Sequence, residues 1–369
     1  MTNNTNDNVL TIQTPPKVRN SGIELLKIIA ILLICISHAV QTTEQFLNYD
    51  YLTFGIAVLK ILRYFGQIGN IIFVICSSWF LLDSKRVKPE RVLKILFDSM
   101  CISILIFLGF VFAGYKFSTN RIIQQLFPDI FFNVWFIPVY ALFYLIHPLL
   151  NTAINKMNKK HHLVFCLVIF SIYSCLGLII GFGGILINFF GFIVLYFITA
   201  FIKRYCERFY KNRKLNLYLF LGFVLIFLLA VIAKSVYNLD FLEFGQFCSP
   251  ILLPMLICLF NLFNSLNFTN KSINYFAGCS LFVYCIHENI LVRSIARPLY
   301  YEKVLSICLD AYLGWIFLCA IGMFFGAYIL SVLYKQTLSK LTQKLSKLFS
   351  NLLINIKNKL FVRTIKNDN

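Results

Sequence analysis

The sequence predicts an all-α fold, a polytopic membrane helix bundle of about ten transmembrane helices with both termini cytoplasmic. Three observations carry that prediction. The 369 residues are 59% hydrophobic and 13% charged, whereas soluble domains run at about 25% charged, and forty Phe exceed what one soluble core of this length can hide. Apolar runs of about 20 residues, enough to cross the hydrocarbon core, recur along the chain. The basic residues gather between alternate runs, the pattern of a multi-span topology.

The runs fall at about 23–41, 56–82, 95–114, 134–152, 163–181, 184–202, 215–234, 249–264, 277–293 and 305–334, and Gly314, Gly322 and Gly326 offer the last one a bend. Residues 1–20 read as a polar, disordered cytoplasmic tail with a Pro-Pro break and no removable signal, so the first run is expected to stay as an anchor. Assigning the N-terminus, alternate loops and the C-terminus to one side places 25 of the 34 Lys and Arg there and five on the other. That asymmetry puts both termini inside a cell membrane spanned many times. The net charge of +19 is thereby read as topology and as contact with the bilayer, not as a nucleic-acid footprint. Twelve Cys are scattered without a CxxC pair, so they read as small packing residues and no metal is expected. Residues 335–369 form a basic amphipathic tail, with Leu338, Leu341, Leu345, Leu348 and Leu352 on one stripe and Lys340, Lys344 and Lys347 away from it, as in a helix resting on an anionic leaflet. Residues 21–334 are the membrane domain.

The first run, "GIELLKIIAILLICISHA" (22–39), carries Glu24, Lys27 and His38. Lys27 and His38 are eleven residues apart, close to three helical turns, so they share a face and stand about 16 Å apart along the axis. Glu24 is one turn before Lys27, close enough to pair with it. One account has Lys27 snorkelling, Glu24 neutralising it and His38 touching headgroups. The other has the stripe lining a passage, since charged groups in spans are expensive and usually face a cavity. A cation for phosphate at one end and a base about 16 Å away suit an elongated phosphate-bearing donor such as coenzyme A.

The stretch resembles the start of the acyltransferase family 3 membrane proteins, bacterial O-acyltransferases that decorate cell-surface glycans, whose first helix carries a basic residue, ten intervening residues and a His. Lys27 stands where Arg is usual and lacks its bidentate fork. "FVICSSWFLL" (73–82), with Ser78 where Gly is commoner, resembles the family's second-helix segment. "ERVLKIL" (90–96) resembles its Arg-x-x-Arg element, here Arg91 and Lys94. "VWFIPVYALFYLIHPLL" (134–150) and "GCSLFVYCIHENI" (278–290) resemble its Trp-Phe and late His helices. The likeness runs from about residue 19 to 334.

The resemblance implies that Lys27, Arg91 and Lys94 hold the donor's phosphates, that Glu24 serves the catalytic stripe by orienting Lys27, and that Trp135 shapes the acceptor cleft. From the residues alone, Arg91 and Lys94 belong to a loop that topology already explains, and Trp135 suits an aromatic belt. His287, Glu288 and Asn289 are three consecutive polar residues near mid-membrane, read as a structural cluster or as donor- or acceptor-binding groups. Arg63 shares a face with Gln67 and Asn70 and could polarise an acyl oxygen. His147 beside Pro148 reads as a buried His, and Asp98 as a neutraliser of a nearby Lys.

The expected function is O-acyl transfer, acetyl first, from acetyl-CoA to a hydroxyl of a cell-surface or lipid-linked glycan. His38 acts either as general base or as carrier of the acyl group. The main rival is a lipid-linked-sugar transporter or flippase, for which inverted repeats would speak, and none is seen. A glycan polymerase would be expected to keep a larger outer loop, and a structural scaffold leaves the Lys27–His38 stripe unexplained. Neither a phosphate-cradling glycine loop with a Lys nor a Gly-x-Ser-x-Gly elbow is present.

Overall fold

A computed structural model describes residues 19–43, 54–180, 184–237, 247–305 and 312–367. The expected disordered tail therefore lies outside the described residues, apart from its last two positions. Among the described residues the fold is helical without strands: α1 (Ser21–Thr43), α2 (Phe54–Arg63), α3 (Phe65–Leu81), α4 (Pro89–Phe112), α5 (Thr119–Leu126), α6 (Phe136–Lys156), α7 (Lys159–Ile180), α8 (Ile185–Tyr205), α9 (Glu207–Lys211), α10 (Arg213–Val236), α11 (Leu252–Asn264), α12 (Lys271–Ala277), α13 (Ser280–His287), α14 (Arg297–Leu305), α15 (Tyr312–Thr337) and α16 (Ser339–Asn367).

Among the described residues seven helical stretches are long and apolar enough to cross a membrane, α2 and α3 counting as one, and an eighth span results if the bent pair Lys271–His287 and Val292–Lys303 counts as one. Of the ten expected runs, the two that remain correspond to α7 and α11. The 13 residues of α11 reach about 20 Å, short of the ~30 Å hydrocarbon core. The anticipated last span is described only from Tyr312, and α15 runs unbroken past all three of its glycines.

Polar bonds tie alternate connections together at one end of the bundle. Asn20 donates to the Asn264 carbonyl at 2.8 Å, Asn151 to the Leu81 and Ser84 carbonyls, Lys203 to the Asp83 carboxylate at 2.8 Å, and Lys335 to the Tyr275 carbonyl. These are the segments in which the sequence concentrates its basic residues, and we refer to this as the basic end. Helix starts follow local chemistry: Pro89 opens α4, while Ser118, Asn212 and Asn270 cap α5, α10 and α12 by accepting a backbone N–H.

Helix α1 is the hub. It packs on α3, α15, α12, α11 and α13, and Leu26, Ala30, Ile31 and Cys35 are fully buried. Its apolar stretch is 61% buried, against 17% for α10 and 22% for α4, so those two present lipid-facing surfaces of Leu, Ile and Phe while neighbours surround α1. Glycine permits the closest approach. A methyl at Gly69 of α3 would lie 2.5 Å from the Ala30 carbonyl oxygen and 2.6 Å from Ile34. We expect Gly69→Ala to cost about 1–3 kcal/mol and Gly69→Leu to abolish folded protein, read as melting temperature and monodisperse yield in detergent.

Two interruptions matter for the site. Helices α2 and α3 break at Tyr64, and Ser37 of α1 donates to the Arg63 carbonyl at 2.6 Å, occupying an acceptor that the break releases. The ninth run, expected to be one span, instead bends by 67° at Glu288–Asn289 and resumes through a π-helical turn, Val292–Ala296. Here Arg297 donates to the His287 carbonyl, and Asn289 accepts from the Leu291 N–H while donating to Ser103 and Gln125. Irregular backbone is thus satisfied by polar side chains rather than exposed to lipid.

Helix α16 covers the residues of the expected tail. Leu341, Leu345, Leu348 and Leu352 are exposed, while Thr342, Ser346 and Ser350 are buried, a small-residue stripe that suits close packing on α4.

Candidate active site

The spacing of α1 brings three groups to two places. Near the basic end, the Lys27 ammonium donates to both Glu24 carboxylate oxygens, at 3.1 and 3.2 Å, as their i, i+3 relation requires. Fourteen residues from Glu24, about 21 Å along the helix, His38 meets the break in the ninth run. The His38 Nδ1 lies 2.9 Å from Glu288 Oε1 and 3.0 Å from His287 Nε2, with the two imidazoles stacked at 5.1 Å and 15°. Arg297 Nη2 donates to the same Glu288 oxygen at 2.9 Å, and Arg293 stands 3.9 Å from the other. His287, Glu288 and Arg297 are all buried. With Nδ1–H donated to the carboxylate, His38 keeps its lone pair on Nε2.

Two cavities approach this axis. One, of about 590 Å³, is lined by His38, Arg63, Gln67, Asn70 and Trp135 among others, a volume within the usual range of small-ligand sites. The second, of about 220 Å³, is lined by Lys27, Ser77 and Tyr140 together with apolar side chains such as Phe73 and Leu281. Asn70 belongs to both, and its buried Oδ1 has no hydrogen-bond partner among the described residues. The two cavities thus share Asn70 as a wall, with Lys27 lining the more apolar one and the His38 imidazole lining the other.

Several expectations hold and others are corrected. Lys27 pairs with Glu24, and Arg63, Gln67 and Asn70 share a cavity with His38 and Trp135 as their common face implies. His147 is buried, and its Nδ1 meets the Tyr144 carbonyl at 2.5 Å. That oxygen lies four residues before Pro148, which has no N–H to give it. Glu24 is remote from His38, and the carboxylate that reaches the imidazole is Glu288, which the sequence offered for binding. His287 stacks on His38 and is fully buried rather than open to a ligand.

Lys94 is committed elsewhere. It donates to Asp98 at 2.6 Å and to Ser339 at 2.9 Å, while Tyr334 and Thr342 donate to the other Asp98 oxygen. The pair thereby anchors α16, as the four-residue spacing of Lys94 and Asp98 allows. Arg91 is exposed at the basic end, and neither residue lines the Lys27 cavity. Arg297, one of the five basic residues assigned from sequence to the side opposite the termini, was not singled out. Its position nine residues after Glu288, across a polar triplet, was the available signal.

His38, His287 and Glu288 each offer one ligand atom within 4.8 Å of the others, a spacing open to a metal ion. Arg297 donates to one Glu288 oxygen, so an ion at this site would share the carboxylate with a guanidinium. The profile of the acyltransferase domain family matches residues 20–332, which takes in α1, both cavities and the broken ninth run. No curated protein and no solved structure matches the chain. The chain belongs to the acyltransferase family 3, and its activity class is membrane acyl transfer.

Proposed function

We propose that this membrane acyltransferase moves an acetyl group from acetyl-CoA to a hydroxyl of a cell-surface or lipid-linked glycan, with the donor entering from the basic, cytoplasmic end and the acceptor from the other. The observation that carries the reading is the meeting of the two cavities at Asn70, with a cation at the far end of one and a carboxylate-held imidazole in the other.

In this reading Lys27, steadied by Glu24, holds a donor phosphate and the thioester arm threads the narrow apolar cavity toward Asn70. His38 Nε2 removes the proton from the acceptor hydroxyl as its oxygen attacks the thioester carbonyl. Collapse of the tetrahedral adduct breaks the C–S bond, and the imidazolium returns the proton to the leaving thiolate. Glu288 holds the Nδ1–H and offsets the imidazolium charge. Where His38 itself carries the acetyl group, the same carboxylate orients it as nucleophile.

The test follows acetyl-labelled acetyl-CoA into surface glycan in membranes holding intact protein or His38→Ala at matched expression. Transfer that vanishes in the variant supports the reading. Transfer that survives removes His38 from the chemistry. Lys27→Gln is expected to raise KM for acetyl-CoA by about tenfold or more, the worth of a hydrogen bond to a charged group, with Lys27→Arg near wild type. A lipid-linked-sugar flippase is the second reading, favoured by the break in the ninth run, since discontinuous helices also line transport sites. It predicts that acetyl-CoA does not bind these membranes at all.

A further inference from the structure

The larger cavity carries more charge than proton transfer requires. Besides His38 it is lined by Lys60 and Arg63 from α2 and Lys234 from α10, and no Asp or Glu is among its described lining residues. Basic residues in the last turn of a helix offset its dipole, which accounts for cations at the ends of α2 and α10 but not for the convergence of both ends on one cavity. Arg63 and Lys234 also make other interactions. A guanidinium has five N–H donors and an ammonium three, so either can keep one partner and still meet a ligand. Gln67 and Asn188 add neutral donors, and Trp135 adds a flat aromatic wall.

We infer that the acceptor is an anionic saccharide, whose carboxylate or phosphate is held by Lys60, Arg63 and Lys234 so that a neighbouring hydroxyl meets His38. This rests on the acyl-transfer reading and names the substrate class of the same site. A neutral glycan would meet the converging Lys60, Arg63 and Lys234 without using their charge. An anionic one adds charge-assisted hydrogen bonds to the interactions that Arg63 and Lys234 already make, and such bonds are about twice as strong as neutral ones. The sugar ring beside the anion fixes which hydroxyl is presented, so the cations set regiochemistry as well as affinity.

The experiment places the full chain in zwitterionic nanodiscs and measures equilibrium binding of three probes: a hexuronic-acid tetrasaccharide, its carboxyl-reduced neutral counterpart and a phosphodiester-linked sugar oligomer. At least one anionic probe is expected to bind about tenfold or more tightly than the neutral one, with the gap shrinking at 1 M salt, where the Debye length is about 3 Å. Which of the two binds better separates a carboxylate from a phosphate. Lys60→Gln and Lys234→Gln are each expected to weaken that binding about tenfold, and Lys60→Arg to restore it.

Anionic probes that bind no better than the neutral one, or a preference unmoved by both Gln variants, would overturn the assignment. Labelled acetyl-CoA binding in the same nanodiscs separates the two readings. If it persists while the anionic preference is absent, the acyltransferase stands and the anionic acceptor falls. If acetyl-CoA fails to bind, the acyl-donor reading falls and takes the acceptor assignment with it. If acetyl-CoA binding is itself lost in Lys60→Gln, the cavity holds the donor and the proposal is wrong.

Discussion

Glu288→Gln is expected to lower kcat by about 10²–10⁴-fold, the range over which a positioned acid–base pair contributes, with KM for acetyl-CoA near wild type. The carboxylate is buried and accepts from His38 Nδ1 at 2.9 Å. In the proposed reaction it fixes the tautomer that leaves Nε2 basic, and it stabilises the imidazolium formed when the acceptor hydroxyl loses its proton. A glutamine fits the same space but carries no charge. Its amide also presents N–H donors that favour the tautomer with the lone pair on Nδ1, which is the wrong nitrogen. The donor cavity touches neither change, so the loss should fall on kcat and not on KM. Glu288→Asp, one methylene shorter, should be intermediate. The measurement is steady-state transfer by purified protein with folded yield matched. An unchanged kcat in Glu288→Gln would show that the carboxylate is structural only.

The reason Glu288 was not paired with His38 from sequence is physical. The Glu24–Lys27 and Lys94–Asp98 pairs lie within one helical turn and follow from periodicity, whereas His38 and Glu288 are 250 positions apart and meet only because α1 is the hub against which α13 packs. Polar triplets in apolar runs signal a function or a break without saying which. Here the triplet marks a break, because the backbone bends where polar side chains can satisfy it. No proline or glycine marks that position, so nothing local announced the 67° change of direction. The fold class was legible because hydrophobic length and basic clustering are properties of segments. The run at 249–264 forms a helix of only 13 residues, because an apolar run can end in loop turns as readily as in another helical turn. Asp98 reads from sequence as a neutraliser of a nearby Lys, while family likeness assigns Lys94 to the donor phosphates; the structure pairs the two.

Arg297→Met is expected to destabilise the protein by about 3–5 kcal/mol, the cost of stripping one partner from a buried ion pair. Arg297 is 2% exposed; its guanidinium bonds Glu288 Oε1 at 2.9 Å and the His287 carbonyl freed by the bend. Without it the Glu288 carboxylate keeps only His38 and, at 3.9 Å, Arg293, and the bend loses one of its side-chain bonds. The double variant Glu288→Gln/Arg297→Met removes both charges and should regain most of the lost stability while staying inactive. A charge whose partner has already gone costs nothing further to uncover, so the two substitutions are coupled. Thermal melts of the four proteins in one detergent complete the cycle. Strict additivity would mean that Arg297 acts through packing alone. A double variant more stable than additivity predicts, with activity still absent, would assign the arginine to holding the carboxylate charged beside His38, and the carboxylate to the chemistry.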